Sequence, residues 1–473
     1  MEGAAPTYDT LIRRARILDG TGAPAWTGDL GIRGDRIAAL GDLTGAQASN
    51  EVDAAGLCAA PGFVDTHTHD DLAVFSREAM EAKLSQGVTT VVVGNCGISP
   101  APLRLRGAPP PPLNLLGGPE AFRFPSFADY ARALREAPLG VNVAALVGHG
   151  ALRVARMEDW TRPAGKRELD AMRADLEAAM AEGAAGLSTG LAYPTNCGAP
   201  PGEVEVLARA AAEAGGRLCM HVRDEFDGVM EATREAFAIA RKAGAFLVLS
   251  HQKVAGTRNR GRARELLALY GGAGVPFALD AYPYEAGSTV LDPAFAAQST
   301  EVRIPWSDPH PEMAGRTLAE AAAAWGVPER EALDRLQPGG GIYFHMDPAD
   351  VDAILAHPRC MVGSDGLPHD RHPHPRLWGT FPRYLRRMAL DRPSLSLEEA
   401  VRRITALPAE TFALAGRGRL APGCAADLVL FDPAELRDRA TYEEPRRPSE
   451  GIREVYVNGV PFRQGAGGRY LGA

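Results

Sequence analysis

The segment Phe63-Val64-Asp65-Thr66-His67-Thr68-His69-Asp70 ends an apolar run in two histidines one residue apart. Side chains alternate faces along a strand, so His67 and His69 project together if the strand runs through them. Two neutral imidazoles side by side suit a divalent metal ion; the bland alternative is an exposed polar strand end. Further donors close other apolar runs. Cys96 ends "VTTVVVGNCG", His149 ends "VNVAALVGHG", and His221 and Arg223 end "RLCMHVRDE". His251 and Lys253 end "AFLVLSHQK", Tyr282 and Tyr284 end "PFALDAYPY", and Asp365 ends "CMVGSDG". One thiolate and two imidazoles, Cys96 with His221 and His251, form an ordinary zinc set. With His67 and His69 they could hold one ion tightly and a second more loosely, Cys96 bridging the two. A buried Cys is more often a small core residue, and a lone buried His is more often hydrogen-bonded. Five such residues at strand ends point jointly to metal. Asp365 is the candidate general base: a carboxylate beside a metal-activated water can take its proton and pass it to a leaving group. Its bland reading is a turn or helix-capping residue.

These positions are far apart in sequence, so a fold must gather them. Eight apolar runs (62–69, 88–97, 141–150, 183–194, 217–225, 245–253, 276–284 and 360–366) alternate with helical stretches such as "KRELDAMRADLEAAMAEG". Strands alternating with helices imply a parallel sheet, and eight repeats close a (β/α)8 TIM-like barrel of the α/β class. In such a barrel the carboxyl ends of all strands share one rim, which carries the active site. The expected barrel covers 61–411. Short strands broken by Gly and Asp at 1–60 and 412–473 read as antiparallel β-structure. Each end is too small to bury its own apolar face, so the two are expected to pack as one small β-sandwich domain. The stretch 285–346 is too long for a plain connection and reads as a lid-like insertion. "LRLRGAPPPPLNLLGGPEAFRFP" reads as a stiff surface loop.

The 473 residues carry 51 basic and 59 acidic side chains, a net charge of −8, which argues against nucleic-acid binding. No apolar run approaches the ~20 residues that cross a bilayer. The N-terminal stretch lacks the basic-then-apolar order of a secretory signal. Six cysteines without close spacing fit a reducing cytoplasm, where the protein is expected. Oligomeric state is not legible.

The motifs "PGFVDTHTHDD" and "GSDG" resemble the amidohydrolase superfamily. Within it, "GNCGIS", "GHGALR", "GLAYP", "HVRDE", "SHQKVAG", "DAYPYEAGST" and "HPRLWGTFPR" resemble the N-acyl-D-amino-acid deacylases. The resemblance implies a tight zinc on Cys96, His221 and His251; His67 and His69 then contribute a weaker second site with the aspartate, or line the pocket. It implies Asp365 as catalytic acid/base, and a clamp for the substrate α-carboxylate at Lys253, Tyr284, Ser288 and Arg376, with Tyr193 nearby. The expected substrate is a small N-acyl-D-amino acid, hydrolysed to a carboxylate and a free D-amino acid. Gln252 and Asp224 stand where many relatives carry a histidine and a short polar residue. A dipeptidase acting on a C-terminal D-residue would use the same clamp. A cyclic-amide hydrolase with a carboxylated lysine is disfavoured, because "GLSTGLAYP" offers no lysine. A catalytically inactive scaffold would lack ligands, and none is missing.

Overall fold

The computed structural model describes residues 7–472. Eight strands lie at its centre: β1 Phe63–Asp65, β2 Val88–Val93, β3 Asn142–Ala145, β4 Gly186–Gly190, β5 Arg217–His221, β6 Phe246–Leu249, β7 Phe277–Ala281 and β8 Cys360–Val362. β2 reads VTTVVV and is buried throughout. β-branched residues buried on both faces are what a central parallel strand requires. β1, β2 and β3 pair in parallel. The chain beyond β3 continues at Val147–Gly148 onto β4, and parallel pairing then runs through β5, β6 and β7 to β8.

β8 and its tail return to β1. The Thr66 N–H donates to Val362 O (3.4 Å), Asp365 N–H to His67 O (2.7 Å) and His69 N–H to Gly366 O (3.0 Å). Helices fill each connection, for example Lys166–Ala181, Pro201–Glu213 and Val229–Ala243. The last of these buries Val229, Met230, Phe237 and Ile239 and stops at Gly244, whose φ of 68° is the left-handed turn that favours glycine.

Strands from both chain ends hydrogen-bond in a single eight-stranded sheet. Its junction is Cys58–Pro61 against Leu428–Phe431, antiparallel. Ile12, Ile17, Leu30, Ile32, Leu428 and Leu430 form its own buried cluster. The 285–346 stretch also has its own order: Ala286–Val290 and Val302–Arg303 pair with Gly340–Phe344, and two helices, Leu318–Trp325 and Glu329–Arg335, cover them. The proline-rich stretch is more than a plain loop. A two-stranded ladder, Leu103–Arg104 with Arg123–Phe124, ties its ends, and Leu113, Leu115 and Leu116 are buried beneath it.

His149 directly follows the strand Val147–Gly148 and opens a helix, His149–Arg156. Its Nε2 lies 3.0 Å from Glu203 Oε1 and its Nδ1 3.1 Å from Thr189 Oγ1. Arg153 pairs with the same carboxylate, which also accepts the Ala164 N–H at 3.0 Å. Burial lowers the His149 pKa, so the imidazole serves as a neutral cross-link. Removing one partner from a buried ion pair leaves an uncompensated charge. Glu203→Ala is therefore expected to lower the unfolding free energy by about 3–5 kcal/mol in urea titration. Glu203→Gln, which keeps an acceptor, is expected to lose less.

Candidate active site

The chain beyond the strand ends positions the chemistry. His67 and His69 lie past β1, Cys96 past β2, His251 past β6 and Asp365 past β8. Three of these have left-handed backbone: Cys96 at φ 56°, His251 at 32° and Asp365 at 49°. Non-glycine residues rarely adopt such angles, and such strain concentrates at functional sites. The turns break strand alternation and swing each side chain over the mouth.

The Cys96 Sγ sits 3.2 Å from His67 Nε2 and 3.2 Å from His251 Nε2. Two overlapping groups result, Cys96 with His67 and His69, and Cys96 with His221 and His251, each with donor atoms within 4.8 Å of one another. Zinc–sulfur and zinc–nitrogen bonds of about 2.3 and 2.0–2.1 Å in a tetrahedron put such donors about 3.5 Å apart. The 3.2 Å separations fit that demand to within a few tenths of an ångström. All five donors are buried.

Carboxylates behind the imidazoles orient them. Asp280 Oδ1 lies 3.2 Å from His67 Nδ1 and accepts the His251 N–H at 2.8 Å. Glu225 Oε1 lies 3.0 Å from His251 Nδ1 and 2.6 Å from Lys253 Nζ. A carboxylate at Nδ1 leaves Nε2 turned toward a metal, the usual outer-shell arrangement.

Burial pushes the Cys96 thiol up, but His67 and His251 beside it carry it well below its ordinary value. Burial pushes the His251 pKa down, as does Lys253, yet the Cys96 thiolate and Glu225 raise it to about 9. A metal must displace those protons as it binds.

Asp365 Oδ1 is 3.4 Å from His69 Nε2 and 3.6 Å from His67 Nε2, while Oδ2 is 2.8 Å from Arg376 Nη1. Burial opposes its ionisation, but Arg376 and His251 hold its pKa well below the carboxylate range. Asp365 lines a hollow of about 410 Å3 with His221, His251, Lys253, Tyr193 and Ser288. Arg376 is fully buried behind it; Nη2 donates to Ser288 O at 3.1 Å and the guanidinium lies 4.7 Å from the Tyr282 ring centre. Among the described residues the Ser288 hydroxyl has no hydrogen-bond partner, and Tyr193 OH lies 3.1 Å from Thr289 Oγ1 with its ring against His221.

Tyr284 does not join this group. Its hydroxyl lies 3.5 Å from Pro375 O, its ring packs on His374, and Arg383 stacks on it. Tyr282 stands in its place, facing Lys253 and Arg376 and lining the hollow. β7 ends at Ala281 and Pro283 follows, so alternation could not tell the two tyrosines apart. The sequence reading also missed Glu225 and Asp280. Each carried a signal, since a carboxylate within an apolar strand or at its end needs a buried partner.

The amidohydrolase family profile matches residues 50–462. This chain belongs to the amidohydrolase family. Among amidohydrolases with known activity, it is 49% identical to a D-aminoacylase of Alcaligenes xylosoxydans xylosoxydans over 459 residues, covering 97% of this chain and 95% of that protein. It is 48% identical to the N-acyl-D-aspartate deacylase of the same organism over 462 residues, covering 97% and 93%. The crystal structure of an N-acyl-D-glutamate deacylase from Bordetella bronchiseptica, complexed with zinc and a phosphonate inhibitor, superposes with a TM-score of 0.95 at 47% identity, covering 99% of this chain and 100% of that one.

Cys96 is the donor common to both groups. Cys96→Ala is expected to strip bound zinc to background after dialysis, measured by atomic absorption. His67→Ala is expected to retain an ion that Cys96, His221 and His251 would hold.

Proposed function

We propose that this protein is a zinc-dependent hydrolase that cleaves the amide bond of N-acyl-D-amino acids, releasing a carboxylate and the free D-amino acid. The observation that carries the reading is Asp365, whose two oxygens face the His67–His69 pair on one side and Arg376 on the other. A carboxylate thus stands between metal-type donors and a cation, in a chain nearly half identical along its length to a D-aminoacylase and an N-acyl-D-aspartate deacylase.

Cys96, His221 and His251 would hold the tightly bound zinc, and His67 and His69 a weaker second ion. Bound there, zinc supplies Lewis acidity toward the acyl carbonyl and toward water. Asp365, kept ionised by Arg376, takes the proton of the attacking water at a carboxylate oxygen. It then delivers that proton to the leaving nitrogen. Lys253, Arg376, Tyr282 and the free Ser288 hydroxyl hold the α-carboxylate, with Tyr193 across the hollow. As the substrate carboxylate draws on Arg376, Asp365 loses part of its counter-charge and gains basicity for the step that needs it. A fixed carboxylate, a fixed carbonyl and a walled side-chain space are three points of contact, which select one configuration at Cα.

The side-chain space is apolar. Phe226 and Phe295 stack at 5.0 Å beside Tyr343 and His345. Burial lowers the His345 pKa to about 3, so its ring is neutral. With Lys253 assigned to the α-carboxylate, the cation left on the outer extension, Arg223, already faces Glu235. The preferred D-residue is therefore apolar or aromatic. The parallel ladder and the return of β8 to β1 support a closed (β/α)8 barrel over 61–411. The shared sheet supports a β-sandwich domain built from 1–60 and 412–473. The cysteines form no disulfide, in keeping with a cytoplasmic setting.

Two outcomes test this reading. Asp365→Asn is expected to lower kcat by about a thousandfold or more while zinc stays bound, since it removes the acid and the base together; unchanged turnover rules out the assigned role. In a panel of N-acetyl amino acids, D-Phe and D-Leu derivatives are expected to exceed their L-forms. They are also expected to exceed N-acetyl-D-Asp by about tenfold or more in kcat/KM, because a second carboxylate would be buried without a partner.

A further inference from the structure

Lys83 lies on the short helix Glu81–Leu84 and has no solvent exposure. A buried ammonium needs several partners, and Lys83 has four. Its Nζ donates to Asp65 Oδ2 (2.7 Å), Thr68 Oγ1 (3.0 Å) and Ser364 Oγ (2.8 Å), and pairs with Asp70 Oδ2 (3.1 Å). Asp65, Thr68 and Asp70 interleave with His67 and His69, while Ser364 precedes Asp365. The same carboxylates and hydroxyls then bind the backbone that carries the site. Asp65 Oδ1 accepts the Ser364 N–H at 2.8 Å and the His67 N–H at 3.3 Å, and Ser364 Oγ accepts the Gly366 N–H at 3.1 Å. The ammonium therefore bridges the seam between the tails of β1 and β8, bonded to residues that alternate with His67, His69 and Asp365 in the chain.

We propose that Lys83 is a positioning residue for amide hydrolysis: its four-way pairing across the seam sets where His67 and His69 stand relative to Asp365. The proposal rests on the deacylase reading above. Without the ammonium, Asp65 and Asp70 become buried carboxylates of like charge with no cation between them, and the two tails separate. A misplacement of about 1 Å at reacting groups costs about a hundredfold in rate. The α-carboxylate clamp, built on Lys253, Tyr282, Ser288 and Arg376, does not touch Lys83.

The test uses the full chain with Lys83→Met, Lys83→Ala and Ser364→Ala. For the Lys83 variants, kcat on N-acetyl-D-phenylalanine is expected to fall by about 10–100-fold, the range for partners behind a metal site. KM is expected to stay within about twofold, because groups acting only in the transition state leave binding intact. Ser364→Ala, which removes one leg and no charge, is expected to lose less kcat in the same pattern. Propylammonium is expected to restore part of the activity of Lys83→Ala, and 1-propanol none. The visible spectrum of the Co2+-loaded protein is expected to change in all three variants while the far-ultraviolet circular dichroism does not. Unchanged kcat and Co2+ spectrum in folded Lys83→Met and Ser364→Ala would overturn the proposal. If the Lys83 variants do not fold, Ser364→Ala decides alone. If the wild-type protein hydrolyses no N-acyl-D-amino acid, the deacylase reading falls, and the Co2+ spectra still decide whether Lys83 sets the histidines.

Discussion

The contact between the tails of β8 and β1 governs the rest of the site. Asp365 N–H on His67 O and His69 N–H on Gly366 O bring together the first and last contributors to the cluster. Those bonds are backbone bonds, so they set register but not side-chain aim. Side chains behind the seam supply the aim: Asp65 and Ser364 bind one another and both tails. A site gathered from such distant parts of the chain needs this closure. Loosening it separates the carboxylate from the imidazoles without touching either.

At the mouth, burial and charge work against each other, and charge wins. Burial alone would make Cys96 a neutral thiol and Asp365 a neutral acid; neighbouring cations reverse both. The result is a dense set of ionised groups in a low-dielectric pocket, where each depends on its partner. The left-handed backbone at Cys96, His251 and Asp365 is the conformational counterpart. Each angle is costly on its own and is held by the packing around it.

The proposed substrate hollow has two owners. Lys253, Glu225 and His251 come from the strand ends, whereas Ser288, Phe295, Tyr343 and His345 come from the 285–346 insertion. Under the proposed reading chemistry and recognition are thereby divided: the strand ends would carry the donors and the base, and the insertion most of the wall facing the substrate. Such a division would let side-chain preference vary without disturbing the donor group, in keeping with the near-equal identity of this chain to a D-aminoacylase and an N-acyl-D-aspartate deacylase.

The sequence by itself determined the element types, the ligand types and the order in which they occur. Apolar runs and helical stretches are local patterns, and a Cys or His at the end of such a run is visible without a structure. The tertiary structure decided aim and partnership. His149 ends an apolar run as the donor residues do, and only the structure shows it as a cross-link to Glu203 at the start of a helix. Tyr284 and Tyr282 look alike in sequence, and only the turn at Pro283 separates the one packed on His374 from the one facing Lys253 and Arg376. Glu225, Asp280 and Lys83 act through atoms contributed by other strands, so their roles exist only once those strands are adjacent. Spacing records which residues a strand offers; the direction each finally faces depends on φ at the strand end and on charges that arrive from elsewhere in the chain.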